Sequence, residues 1–528
     1  MGTKTLKLVG LSLAGVSAGA VAMFGAPAAP VPPAAAQAMP STPGKDRCSA
    51  LAGRQLGGAS IDKADFLAAG APTSLFGTKA ATDICRLSAR ISPAAGSEIK
   101  IHVWLPANWN GKMLGFGGGG FNGSLSIDGL LLTRHINDGY ASLSTDAGHD
   151  AADGAKWAHR QPEKIIDFAH RANHVGAIAT KAIVSDYYNS PAKRSYFFGC
   201  SNGGRDALML AQRYPEDYDG IVSVAPANSW TALMSSFARN GAVARLSPGV
   251  DTLGPKLKLV HDAAIKKCDG LDGAKDGLIG NPAKCRFDPA ILKCKAGAGS
   301  SCLSKPEVNA FRAIYAGTRT RDGTLIMPGF PPGSELEWSG WFTAPKGQAP
   351  GMAEEFFRYM VYDDPSWDRA NFVLDRDYAA AKQRMAAITD ATDADLRPFA
   401  KRGGKLLMSH GWDDPAIPAG SSINYFESAR ASLGNRADQL RLFMVPGMAH
   451  CGGGTGPSSI DMLGALDKWV EKGTAPERLI ATKYEDDKLA FAGLATKPIQ
   501  TRPACAWPKT PHYKGSGATT EAESFVCR

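Results

Sequence analysis

The residues Gly199-Cys200-Ser201-Asn202-Gly203-Gly204 stand between a buried-strand run, SYFFGC (195–200), and a helical run, RDALMLAQRY (205–214), that breaks at Pro215. Small residues two places before and two places after Ser201 permit a sharp strand-to-helix turn. Such a turn lifts the serine hydroxyl out of a sheet and points the next helix N-terminus at a reacting carbonyl. Gly-x-Ser-x-Gly alone is a weak signal; the strand before it and the helix after it give it weight. The competing reading is a serine that only caps the helix.

The surrounding chain supplies a sheet for that turn. EIKIHVWLP (98–106) alternates as a strand does, and KMLGF (112–116) is a short apolar run before four glycines, 117–120. YASLSTDAGHD (140–150) reads as a strand leaving into a polar loop, 163–187 as a helix and DGIVSVAP (219–226) as a strand. Strands alternating with helices predict a mostly parallel α/β sheet. Over 231–395 the alternation is lost; that stretch holds four cysteines, turn-rich loops and aromatics such as Trp338, Trp341, Phe356 and Trp367. It resumes with GKLLMSHGWDD (404–414), SINYFESAR (422–430), LRLFMVPGMAH (440–450) and a final helix near 458–472. The expectation is one α/β domain in two parts, 39–230 and 396–528, interrupted by an inserted lid over 231–395.

Composition narrows the function classes. With 44% hydrophobic and 21% charged residues the 528-residue chain can bury a large core, which excludes wholesale disorder. The 59 basic against 50 acidic residues are scattered, so no nucleic-acid partner is expected. Lys4 and Lys7 precede an apolar, uncharged stretch (9–26) and a Pro/Ala-rich segment containing Ala36-Gln37-Ala38. This pattern predicts a secretory signal over 1–38, cleaved after Ala38. A membrane anchor is the alternative, but Gly, Ala and Ser make the stretch weakly hydrophobic for that role. The expected location is extracellular or periplasmic, with no membrane attachment after cleavage.

An exported chain with an even ten cysteines is expected to carry a disulfide framework. Sequence does not fix the connectivity. Pairing of neighbours suggests Cys48–Cys85, Cys268–Cys285, Cys294–Cys302 and Cys505–Cys527, which leaves Cys200 and Cys451. Cys200 directly precedes Ser201, and Cys451 directly follows His450 in the glycine-rich loop GMAHCGGG. A bond between them would hold their Cα atoms about 4.4–6.8 Å apart, bringing a serine and its base within reach of each other. The acid that orients such a base leaves the preceding strand, where HGWDDP offers Asp413 and Asp414. Pro415 restricts Asp414 to an extended backbone and favours it; Asp413 reads as a solvated or loop-capping carboxylate. His149 and His410 read as structural hydrogen-bonding residues near the site. An oxyanion hole needs two backbone N–H groups: one from Asn202, the other from glycines 117–120.

GCSNGGR (199–205), HGWDDP (410–415) and VPGMAHCGGG (445–454) together resemble the tannase and feruloyl esterase family. The likeness runs from about Cys48 to Cys527 through GFGGGGFNGS, STDAGHD, CDGLDGAKDGLI and YKGSG. The ten-cysteine layout is also similar to that of bacterial mono(hydroxyethyl)terephthalate hydrolase, a member of the family. The resemblance implies an α/β-hydrolase fold with a lid inserted between the nucleophile half and the Asp/His half. It implies bonded Cys200 and Cys451, a triad of Ser201, Asp414 and His450, and oxyanion donors Gly120 and Asn202. The implied substrates are esters of hydroxycinnamic or gallic acids. A terephthalate monoester is the alternative, for which Arg312, Arg319, Arg321, Arg358 or Arg369 would pair the free carboxylate. A catalytically inactive, calcium-stabilised binding protein is a remote third reading.

The loop from Cys268 to Leu278 packs Asp269, Asp272 and Asp276 among three glycines, repulsive crowding that a hard cation relieves. From the residues alone, Ca²⁺ competes with a solvated turn. The resemblance implies a structural Ca²⁺ held by the side chains of Asp269, Asp272 and Asp276 and the carbonyls of Ala274 and Leu278.

Overall fold

The structure, a computed structural model, describes residues 43–73, 78–125, 135–245, 252–295, 299–343, 348–491, 494 and 496–528. The expected signal segment lies outside the described residues.

Ten strands make one mixed sheet. In chain order its first eight are β1 (Gln55–Leu56), β2 (Ala59–Leu67), β3 (Ile84–Ile91), β4 (Ile99–Pro106), β5 (Lys112–Phe116), β6 (Ala141–Thr145), β7 (Arg194–Cys200) and β8 (Gly220–Val224). A small hairpin, β9 (Thr318–Arg319) with β10 (Leu325–Met327), stands apart. The large sheet is then completed by β11 (Lys405–Gly411) and β12 (Leu440–Val445), in the order β1-β2-β3-β4-β6-β5-β7-β8-β11-β12. From β1 to β6 neighbours are antiparallel; from β6 to β12 they are parallel. All five residues of β6 and of β8 are buried, as strands covered by helices on both faces must be.

The strand order reverses at β5. The chain leaves β5 for β6 on one side and returns to β7 on the other, so the carboxyl ends of β5 and β7 open a crevice between their loops. Those loops are the glycine run and the Ser201 turn.

β8 and β11 are parallel neighbours, yet 180 residues, 225–404, separate them in sequence. The longer described elements of this insertion are helices: Trp230–Ala244, Leu257–Cys268, Lys305–Tyr315, Gln348–Glu355 and Leu374–Thr389. It has its own apolar core around Phe311, Phe330, Trp338 and Phe342. Its entry and exit run side by side. Asn228 accepts a hydrogen bond from the Ala391 N–H at 2.8 Å, and the Asp390 carboxylate accepts from the Thr231 N–H and hydroxyl at 2.9 and 2.7 Å.

Three local expectations are corrected. The helix expected from 205 begins at Asn202, directly after the serine. The helix expected near 458–472 is Met462–Lys472, and it is not the last. Beyond it lie Asp487–Phe491 and the antiparallel pairs β13 (Arg478–Tyr484) with β14 (Pro498–Cys505), and β15 (Pro511–Tyr513) with β16 (Phe525–Cys527). The run 163–187 contains a wider turn, Asp167–Arg171, between two α-helical pieces. There the buried Asp167 accepts from Ser97 Oγ at 2.6 Å and from Arg171 Nε at 2.5 Å.

Candidate active site

Ser201 joins β7 to helix Asn202–Arg213 with φ 64° and ψ −122°, a conformation that costs a non-glycine residue about 1–3 kcal/mol. Three backbone hydrogen bonds hold it: Ser201 N–H to Val224 (3.0 Å), Ala227 N–H to Ser201 (3.0 Å) and Arg205 N–H to Ser201 (3.1 Å). The flanking glycines follow from close backbone approach. A Cβ on Gly199 would lie 2.0 Å from the Gly203 carbonyl oxygen, one on Gly203 2.7 Å from that of Gly117, and one on Gly204 2.5 Å from that of Val224. The serine turn and the glycine run are thus wedged together.

Beneath the turn lies Arg205, which sequence reasoning did not single out. It is fully buried and donates to Asn202 Oδ1 (2.8 Å), Asp206 Oδ1 (2.8 Å) and the carbonyls of Ala169 (2.7 Å) and Phe168 (3.1 Å). Its guanidinium also stacks 4.8 Å from the Phe168 ring. The signal was the arginine closing GCSNGGR, but a charge on a helix reads as surface until its partners are known.

His450 Nε2 lies 2.9 Å from Ser201 Oγ, and His450 Nδ1 lies 2.8 Å from Asp414 Oδ2. The Cys200–Cys451 disulfide joins the two loops with Cα atoms 5.9 Å apart. The other pairs are Cys48–Cys85, Cys268–Cys285, Cys294–Cys302 and Cys505–Cys527. Asp414 is fully buried, with Oδ1 accepting from the Ala416 and Ile417 N–H groups at 2.8 and 2.9 Å. Burial alone would raise its pKa, but the His450 charge and hydrogen bonds from His410 and His450 outweigh it. They hold the carboxyl below the ordinary carboxylate range. An acid that stays ionised keeps His450 Nδ1 protonated and leaves Nε2 free to take the serine proton.

Asp413 is not the solvated carboxylate expected from sequence. It is 7% exposed, accepts one long hydrogen bond from Thr455 Oγ1 (3.4 Å) and faces Glu335 and Glu337 of the insertion. Burial and those two carboxylates push it up to about 8. His410, buried behind Asp414, contacts Ser422 Oγ (2.7 Å) through Nδ1 and the Ile417 carbonyl (2.9 Å) through Nε2. His149 lies under the glycine loop, with Nε2 2.8 Å from the Phe121 carbonyl.

Among the described residues, the N–H groups of Gly120 and Asn202 have no acceptor. Asn202 opens its helix, where the first N–H groups have no intrahelical partner, and Gly120 has φ +56°. Gly120, Ser201 and His450 line a cavity of about 510 Å³, within the usual range of small-molecule sites. Its apolar walls are Phe116, Phe198, Val224, Met352 and Trp341, the last set edge-on to His450 with centroids 5.6 Å apart. No Lys, Arg, Asp or Glu lines it among the described residues. Instead Arg312 pairs with Asp288, Arg319 donates to the Gly323 carbonyl, Arg358 pairs with Glu354, and Arg369 lies 4.0 Å from the same Glu354. Arg321 bonds Asp375 through its backbone N–H.

The acidic loop offers oxygen donors suited to a hard cation. Asp272 Oδ2 is buried without a hydrogen-bond partner, although Arg502 Nη1 stands 3.8 Å away. Asp276 pairs with Arg502. Among the described residues, the carbonyls of the buried Ala274 and Leu278 accept no hydrogen bond. As placed, no three acidic, His or Cys side chains among the described residues converge into a ready cage. Three carboxylates beside one guanidinium, one orphaned carboxylate oxygen and two free carbonyls nonetheless fit an oxygen-coordinated ion.

Comparison with known proteins gives a consistent pattern. A family model described as tannase and feruloyl esterase matches residues 85–528. The chain is 36% identical to an uncharacterized esterase of Xanthomonas campestris pv. campestris, covering 91% of each. It is 34% identical to a probable feruloyl esterase B-2 of Aspergillus terreus, over 84% of this chain and 86% of the relative. The crystal structure of feruloyl esterase B from Aspergillus oryzae superposes with a TM-score of 0.82 at 29% identity, covering 89% of this chain and 97% of that one.

Proposed function

The chain belongs to the tannase and feruloyl esterase family and is a carboxylic ester hydrolase; from that premise we propose that it cleaves esters of aromatic acids, of hydroxycinnamic or gallic type, through a Ser201–His450–Asp414 acyl-enzyme mechanism. The observation that carries this reading is the chain of short contacts, Ser201 Oγ to His450 Nε2 at 2.9 Å and His450 Nδ1 to Asp414 Oδ2 at 2.8 Å, at the wall of a largely apolar cavity. Ser201 Oγ attacks the ester carbonyl as its proton passes to His450 Nε2. The N–H groups of Gly120 and Asn202 stabilise the oxyanion. The alcohol leaves with the proton from His450, and water repeats the sequence on the acyl-enzyme.

The described walls carry no charged side chain, which favours a neutral aromatic acyl group. A terephthalate monoester would bring a carboxylate with no described cavity cation to meet it, so it ranks second. Kinetics with methyl ferulate, methyl gallate, chlorogenate and the terephthalate monoester, with Ser201→Ala as control, test the assignment. The highest kcat/KM is expected on one of the first three. A highest value on the monoester would replace the reading, and no turnover at all would favour an inactive binding scaffold.

Within the same reading the acidic loop holds a structural Ca²⁺ through the side chains of Asp269, Asp272 and Asp276 and the carbonyls of Ala274 and Leu278; the triad needs no metal. Five disulfides suit an oxidising compartment, extracellular or periplasmic.

A further inference from the structure

The donor Gly120 cannot orient itself. It has a positive φ, and nothing stands within 4 Å of where its Cβ would be. Its N–H direction is therefore set by what holds the loop on either side. On one side the Gly117 N–H bonds the Phe198 carbonyl at 3.0 Å, tying the loop to the end of β7. On the other, the Asn122 N–H closes a turn onto the Gly119 carbonyl at 2.8 Å, with Gly120 and Phe121 inside it.

That turn rests on His149. Its Nε2 lies 2.8 Å from the Phe121 carbonyl. Both ring nitrogens face carbonyls, which only accept; burial lowers the ring's pKa and keeps it neutral with one proton, and the shorter contact assigns that proton to Nε2. The second ring nitrogen is 3.2 Å from the Ala147 carbonyl. The ring is stacked on Trp157 with centroids 3.8 Å apart and planes 18° apart, so it is held flat and rigid. Its Cδ2 lies only 2.8 Å from where a Cβ on Gly123 would be, which leaves that position to glycine. His149 is 6% exposed and is not among the residues lining the cavity, so it does not touch substrate.

We propose that His149 is a positioning residue of the oxyanion hole: its Nε2–H grips the Phe121 carbonyl and thereby fixes the turn that aims the Gly120 N–H at the developing negative charge. This rests on the Ser201 esterase reading. The hydrogen bond acts on a group that matters most in the transition state, so its loss lowers kcat and leaves ground-state binding nearly alone.

The test compares His149→Phe, which keeps a ring against Trp157 but has no donor, with His149→Gln, which keeps an N–H, in the full-length protein on methyl ferulate. The second readout is the Ki of a trifluoromethyl ketone, whose serine adduct carries an oxyanion. For His149→Phe, kcat is expected to fall about 10–100-fold, less than or equal to the loss of a whole oxyanion donor, with KM within about twofold. The Ki of the ketone rises by the same factor as kcat/KM falls, and His149→Gln recovers most of both. Unchanged kcat in His149→Phe overturns the proposal, as does a lost kcat with unchanged ketone affinity, or a Gln variant no better than Phe. If His149→Phe does not fold, His149→Asn, too short to reach the Phe121 carbonyl, takes its place against Gln with the same outcomes. Activity persisting in Ser201→Ala would instead overturn the esterase reading itself, separately from this inference.

Discussion

Asp413 and Asp414 are neighbours in sequence and opposites in chemistry. Asp414 accepts two backbone N–H bonds and faces two imidazoles, so it stays ionised; Asp413 faces two carboxylates, and burial raises it to about 8. Asp414→Asn is expected to lower kcat about 10⁴-fold, because the amide favours the wrong imidazole tautomer; steady-state kinetics read this. Asp413→Asn acts on stability. Between pH 4 and 8 the folded chain holds a proton on Asp413 that the unfolded chain has lost, so this group makes stability fall as pH rises through that window. At pH 9 the Asn variant is expected to melt about 2 °C or more above wild type, with the gap closing toward pH 4. A gap that widens in acid would contradict the raised carboxyl. From sequence, Pro415 was enough to prefer Asp414 as the orienting acid. The burial of Asp413 was not legible, because Glu335 and Glu337 lie about 80 residues upstream in the insertion.

At the scale of elements, the legible strands were β4, from its alternation, and those buried on both faces. β6 and β8 are continuous apolar or small runs, β7, β11 and β12 are largely so, and the last three end in loops that carry Ser201, Asp414 and His450. β2 was missed because Asp62, Lys63 and Asp65 on the half-solvated part of the sheet dilute its alternation. The insertion's helices were missed because disulfide loops and turns interrupt their periodicity. Two tryptophans three positions apart show the limit: Trp338 fills the insertion's core, while Trp341 reaches the cavity. The two loops that carry Ser201 and His450 are joined by Cys200–Cys451. Cys200→Ala/Cys451→Ala is expected to lower kcat about 10-fold or more while KM changes little, since misplacing a base by about 1 Å costs about 10²-fold. Full activity of the double variant would show that packing alone sets the Ser201–His450 distance.

Across the whole molecule, the insertion, the sheet and the C-terminal strands meet around the His450 loop. Leu278 of the acidic loop packs on Gly447, where an added Cβ would lie 2.6 Å from Leu278 Cδ2, and Arg502 of β14 pairs with Asp276. A cation in the acidic loop would therefore stabilise three parts of the chain together. Chelation by EGTA is expected to lower the melting temperature by several degrees, and added Ca²⁺, more than Mg²⁺, to restore it. An unchanged melting temperature would leave the loop's carboxylates to Arg502 and the backbone N–H groups. The most direct measurement of the central chemistry is mass spectrometry of protein quenched in acid during turnover of methyl ferulate. The predicted result is a feruloyl adduct on the peptide containing Ser201, absent in Ser201→Ala. An adduct on any other residue, or continued turnover by Ser201→Ala, would contradict it.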